Sequence, residues 1–299
     1  MYLIYLLCIF FLSAECFGQV LPDSIRYFGQ TPPGDSAVIF APGRISLSNR
    51  LEGRIAFSPK GDEYFITVWE PKHAGAKVFY SQYKNSSWTT PEPAPFSKDL
   101  YTANPYFSSD GSKLYFDYRT SKQRDIWLIH RNGDSWSESE PLPSPINSDG
   151  WDFAYSESED GTAYFTSNRA GSKLYDIWRV VKNSSQELKA ENLGPIVNSD
   201  TYEYCTCISP DRSYLIFVSH INGEPDLYIT FSLRSGRWSK PVNLGSRINS
   251  VKEDVDPVLS PGGRYLFFSR YRNAGMETCD IYWVSTSFVD RIRKTIITD

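Results

Sequence analysis

The chain contains no run of basic residues, and its 31 Lys and Arg against 35 Asp and Glu leave a formal charge of −4. A protein that tracks nucleic acid neutralises phosphates with clustered Lys and Arg. That partner class is therefore excluded here, and an anionic membrane surface with it. No Gly-x-Ser-x-Gly elbow occurs, nor any Gly-rich phosphate loop, which removes the sequence marks of a serine hydrolase and of a nucleotide-binding loop. Histidine is scarce: His73, His130 and His220 stand far apart with no His-x-x-x-His spacing, so a catalytic zinc has no ligand pair on one helix face. No apolar stretch reaches the roughly 18–20 residues of a membrane-spanning helix. The longest, residues 2–12, has 11.

That short stretch has a meaning of its own. It is followed by small and polar residues ending Cys16-Phe17-Gly18-Gln19, the order found in a secretory signal peptide. We read residues 1–19 as a signal peptide and expect the mature chain to begin near Gln19 or Val20, with no integral membrane segment after cleavage. A lipid anchor at Cys16 is disfavoured by Glu15 before it. The expected location is the periplasm or the outer surface. Three cysteines remain beyond this leader: Cys205, Cys207 and Cys279. Alternation along a strand puts Cys205 and Cys207 on one side. With no second pair nearby they read as buried thiols, although a disulfide to Cys279 stays open in an oxidising compartment.

What the chain has in quantity is one sentence written five times. The copies begin at Glu52, Thr102, Asp152, Glu203 and Asp254, spaced 50, 50, 51 and 51 residues apart. Each holds an apolar run, a tight turn and a second strand-like run. The turns are Ser58-Pro59-Lys60-Gly61, Ser108-Ser109-Asp110-Gly111, Ser158-Glu159-Asp160-Gly161, Ser209-Pro210-Asp211-Arg212 and Ser260-Pro261-Gly262-Gly263. Gly and Asn in such turns tolerate positive φ, so Asp-Gly and Asn-Gly between apolar runs mark hairpins. A third run opens with Asp125-Ile126-Trp127, Asp176-Ile177-Trp178, Asp226-Leu227-Tyr228 and Asp280-Ile281-Tyr282, and the copies end on Ile146-Asn147-Ser148, Val197-Asn198-Ser199 and Ile248-Asn249-Ser250. A period near 50 built of short strands predicts an all-β propeller of four-stranded antiparallel blades.

The fifth copy stops after its third strand, near Val284. Residues 37–46 resemble Pro241 to Asn249, so they are expected to supply the missing fourth strand and close the ring, leaving no open edge. The domain plan is then a signal peptide over 1–19, a linker over 20–36 and one five-bladed propeller over 37–299. The Ser-Pro-Asp-Gly-like turns, the aromatic second strand and the Asp-Ile-Trp or Asp-Ile-Tyr opening of the third resemble the TolB-like, or WD40-like, β-propeller repeat of bacterial envelope proteins. The resemblance covers roughly residues 37–290. It implies the fold and, among its members, binding propellers of the cell envelope. Departures are Lys60 and Arg212 in the turns, the missing Asp at the third strand of the first copy, and Glu157 where other copies carry Phe107, Ile208 or Leu259.

Propellers bind at the ends of their channel, so the site is sought where the first strand begins beside the end of the second. Counting outward from the turns pairs Glu52 with Trp69, Thr102 with Arg119, Asp152 with Arg169, Glu203 with His220 and Asp254 with Tyr271. The candidate ligand-binding set is thus Glu52, Asp152, Glu203, Asp254, Trp69, Arg119, Arg169, His220 and Tyr271. Carboxylates, guanidinium groups and aromatic planes around a concavity suit a polar small molecule, a glycan such as a peptidoglycan fragment, or a peptide or envelope-protein partner. A carboxylate ring could also hold Ca²⁺, although no cofactor is required. Cross-strand ion pairing repeated by duplication accounts for the same residues without any ligand. The expected function is a non-enzymatic binding module. The alternative is a glycoside hydrolase-like enzyme using two of these carboxylates.

Overall fold

The computed structural model describes residues 20–71, 74–97, 101–272 and 278–296. The leader, residues 1–19, lies outside the described residues, as does His73. Within each repeat the strands pair antiparallel in chain order, and a parallel Leu51–Cys279 bridge joins the first repeat to the last, so the strands form four sheets. The first strands are Leu51–Phe57, Tyr101–Phe107, Asp152–Glu157, Glu203–Ile208 and Asp254–Leu259. Between blades the core is a stack of second-strand side chains. Ile66, Phe116, Phe165, Phe217 and Phe268 occupy one column and are all buried. Each contributes on the order of 1.5–3 kcal/mol by leaving water.

The blade-ending Asn-Ser signature has a structural cause. Asn147, Asn198 and Asn249 accept from the backbone N–H of Ile126, Ile177 and Leu227 and donate to the carbonyls of the same three residues. Each Asn thus mimics one more strand residue beside the third strand. Ser46 plays that part in the closing blade, exchanging both bonds with Ile281.

Closure occurs where the repeat predicts it. Val38 pairs with Trp283 and Ile39 with Tyr282, so an N-terminal strand completes the last blade. The linker expected over 20–36 is corrected, because this segment is packed. A short helix, Asp23–Arg26, delivers Tyr27 into the seam between the last and first blades, where it is 1% exposed. Its ring lies 5.3 Å from Trp283 and 5.5 Å from Phe57. Trp88 of the first blade donates to the Ile25 carbonyl. Large aromatic area buried on both sides outweighs the local Pro and Gly content. A second element was not read from the sequence. The helix Ser287–Ile296 follows the last strand, buries Phe288 and Val289, and reaches the fourth blade through an Arg293–Ser213 hydrogen bond.

Candidate functional site

Every first strand carries a β-bulge. Register shifts between Glu52 and Ile55, Ala103 and Tyr106, Phe153 and Ser156, Tyr204 and Cys207, and Val255 and Val258. The residues at the bulge, Asn104, Ala154, Cys205 and Asp256, adopt left-handed φ of 53° to 56°. Their geometry is stitched across blades: the N–H of Asn104 donates to Thr67, that of Ala154 to Asp117 and that of Cys205 to Thr166. The extra residue corrects the expected pairing. Glu52 faces Val68, Thr102 faces Tyr118, Glu203 faces Ser219 and Asp254 faces Arg270. Asp152 faces Ser167, two positions from the expected Arg169, because the turn of that hairpin is also one residue shorter. A slip of one residue turns a side chain to the opposite face of its strand.

The four acids are consequently turned away from the mouth and fully buried at 0% exposure. Each holds the loop that enters its blade. Glu52 accepts from the Leu47 amide and from Arg50. Asp152 accepts from the Ser148 amide at 2.7 Å and from Arg169 at 2.6 Å. Glu203 accepts from the Ser199 amide and the Ser219 hydroxyl. Asp254 accepts from the Ser250 amide and from Arg270 at 2.6 Å. Burial pushes the Glu52 carboxyl up to about 7, against the pull of Arg50. Burial also raises Asp254. Arg169 is spent on the same loop, donating to the carbonyls of Pro145 and Ile146 besides Asp152. These five residues of the candidate set hold the fold.

Three of the other four line the mouth. A cavity of about 370 Å³ opens there, lined by Trp69, His220 and Tyr271 of the expected set. Arg119 is not part of this lining; its guanidinium lies between two rings, 5.2 Å from that of Tyr101 and 4.9 Å from that of Trp151. The rest of the lining was not foreseen and includes Tyr175, Tyr202, Tyr204, Arg124, Glu253 and Asp256. Tyr175, Tyr202, His220 and Tyr204 form a continuous aromatic edge, with successive ring centroids 5.5–5.7 Å apart. Tyr202 is 40% exposed at its outer end. The signal that could have found part of this wall is the position before each repeat start: Leu51, Tyr101, Trp151, Tyr202 and Glu253 fill that column, and the last two line the cavity.

The floor is polar. Arg124 reaches the wall from a 2.6 Å ion pair with Asp117 and packs 4.1 Å over the Phe153 ring. Asp117 is fully buried, also receives Asn104, and has its carboxyl raised by burial against the pull of Arg124. Burial lowers His220 below the ordinary imidazole value, so the ring is neutral at pH 7 and shares a 3.2 Å hydrogen bond with the Tyr204 hydroxyl. Glu253 is raised by burial and by Glu224. The site therefore offers flat apolar planes, two carboxylates, a guanidinium and a neutral imidazole.

Two further expectations are settled by the bulge. Cys205 and Cys207 do not share a side. Cys205 lines this mouth beside Asp256, whereas Cys207 lines the opposite one. Cys205, Cys207 and Cys279 are buried free thiols. The Asp residues that open the third strands bind neighbouring side chains: Asp176 receives Asn192, Asp226 receives Asn243 and Asp280 receives Arg272. Among the described residues no group of three or more His, Cys, Asp or Glu side chains is placed to hold a metal ion, and no helix is long and apolar enough to cross a membrane.

Among solved structures, the chain is similar to a protein described as TolB from Agrobacterium tumefaciens, at 16% identity and TM-score 0.51, covering 74% of this chain and 70% of that one. It is also similar to a thermostable family-43 glycoside hydrolase, at 13% identity and TM-score 0.50, covering 80% of this chain and 90% of that one. No family model and no curated protein matches the chain. At these identities the likeness is one of fold, and it bears out the TolB-like β-propeller architecture.

Proposed function

We propose that this chain is an exported, non-enzymatic binding propeller that takes a saccharide, such as a peptidoglycan fragment, on the aromatic mouth of its channel. One observation carries this reading: the aromatic edge Tyr175–Tyr202–His220–Tyr204 stands over a polar floor bearing Arg124, Glu253 and Asp256. A sugar ring presents an apolar face to such planes and hydroxyls to such polar groups. Tyr and Trp supply this contact area at small entropic cost, since each has only two side-chain torsions. The export half of the reading rests on the apolar run at residues 2–12. A glycan panel, with muropeptides included, titrated against wild type and Tyr202→Ala tests the binding half. Specific binding lost in the variant supports it, and a panel with no binder overturns it.

A second reading has one observation of its own. Glu253 and Asp256 are the carboxylates that remain in the mouth once Glu52, Asp152, Glu203 and Asp254 are committed to their loops. Glycoside hydrolysis needs two carboxyl groups roughly 5–9.5 Å apart across the bond to be cut. If the panel contains a substrate, Asp256→Asn and Glu253→Gln should abolish turnover and leave binding. If it contains only ligands, both variants alter affinity and no product forms.

A further inference from the structure

The opposite end of the channel carries a second arrangement, independent of the first. The residue before each turn serine points into it, and four of the five are apolar: Phe57, Phe107, Ile208 and Leu259. The fifth is Glu157. Together they line a cavity of about 390 Å³. Glu157 is the residue by which the third copy of the repeat departs from the others, and the aromatic mouth makes no use of it.

The carboxylate is held in place. The Tyr155 hydroxyl donates to Oε2 at 2.8 Å and the Tyr115 hydroxyl donates to the same oxygen at 3.2 Å. These two rings are stacked 4.2 Å apart, so the donors are fixed by packing. The Tyr106 hydroxyl pins the Glu157 backbone carbonyl at 2.7 Å. Both side-chain bonds end on one oxygen, and among the described residues no hydrogen bond reaches Oε1. Burial raises this carboxyl, while the two hydroxyls and Lys113 pull it down and Asp110 pushes it up. The cations of the cavity stand on the far wall and are engaged there. Arg264 binds both oxygens of Asp23, and Arg26 donates to the Pro59 carbonyl. On the near wall the second charge is another carboxylate, the exposed Glu159.

We infer that this mouth is a second ligand site, for a primary ammonium group carried on an apolar chain. A carboxylate set in an apolar ring is costly unless a cation pairs with it. Here one oxygen is anchored and the other is open to a cavity whose walls suit methylenes. An alkylammonium supplies the missing charge to Oε1 and buries its chain against Phe57, Phe107, Ile208 and Leu259.

Calorimetric titration of the full chain with n-hexylammonium, hexan-1-ol and hexanoate tests this. Wild type should bind hexylammonium and neither of the others. Glu157→Gln keeps an oxygen acceptor for both tyrosines and should weaken hexylammonium at least tenfold. Glu157→Leu, which restores the apolar character of the ring, should fold and abolish binding. Tyr202→Ala, at the other mouth, should leave hexylammonium affinity unchanged. Equal affinity for hexanol, an unchanged Glu157→Gln, loss in Tyr202→Ala, or no binding of hexylammonium to wild type would each overturn the proposal.

Discussion

The two mouths of the channel are built by the same five repeats and expose opposite products of them. At the turn end, each first strand runs in register with its partner, and equivalent positions present equivalent side chains: an apolar ring broken only at Glu157. At the other end the bulge has intervened. There the equivalent positions that the repeat conserves in charge are folded inward as loop anchors, and the mouth is lined by residues in which the copies differ: Trp69, Tyr202, Glu253 and Tyr271. Repetition therefore marks structure in this chain, and divergence between copies marks the candidate sites. A charge that recurs with the period holds blades together. Side chains that change from copy to copy line the open mouth.

The largest effect expected from this contrast is on stability. Asp152→Ala leaves the part-buried Arg169 without its carboxylate and strips the Ser148 amide of its acceptor. Removing one partner of a buried pair costs on the order of 3–5 kcal/mol. Urea unfolding should show that loss, with ligand affinity of the folded fraction unchanged. Loss of affinity with stability intact would return the acid to the site.

Next is a pH effect at Glu52. Its carboxyl sits near 7 in the fold against an ordinary value of 4.5. Between those values the native state keeps a proton that the unfolded chain has released, so stability falls as pH rises from 4.5 to 7 and is level above. The difference in pKa bounds the loss at about 3 kcal/mol. Glu52→Gln should remove this part of the slope in unfolding curves taken across that range, while Asp254 and Asp117, raised in both proteins, cancel in the difference. Parallel slopes for the two proteins would show that the acid is solvated and on the mouth side.

Smaller still is the change at the aromatic edge. Tyr202→Ala removes a side chain that is 40% exposed and should shift stability by no more than about 0.5 kcal/mol, the range of ordinary surface changes. Its saccharide affinity should fall about tenfold, or about 1.4 kcal/mol. A stability loss without an affinity loss would make the edge a packing feature.

How much of this was legible follows from where the sequence leaves a mark. The period, the serine turns and the closing strand at residues 38–39 are written as spacing and as paired apolar runs, and the fold follows from them. The bulge is not written. Asn104, Ala154, Cys205 and Asp256 share no side-chain type, because what they share is a left-handed backbone conformation, joined in the first three by an inter-blade hydrogen bond. Missing it moved the acids to the wrong face and kept Tyr202 and Tyr204 out of the site. The packing of Tyr27 was hidden for another reason. Its partners Trp283, Tyr265 and Phe57 come from both ends of the chain, and local composition around Pro22 and Pro32 reads as a connector. The same departure from the repeat that was visible at Glu157 gained meaning only when its neighbours Tyr115 and Tyr155 were placed beside it.

The claim that the divergent mouth binds saccharide and the inward acids hold the fold is tested most directly by backbone amide hydrogen exchange with and without the tightest glycan of the panel. The account predicts slowed exchange over residues 202–205, 220–221 and 253–256, with the turns at 108–111 and 158–161 unchanged. Slowed exchange at those turns, with the aromatic mouth unaffected, would contradict it.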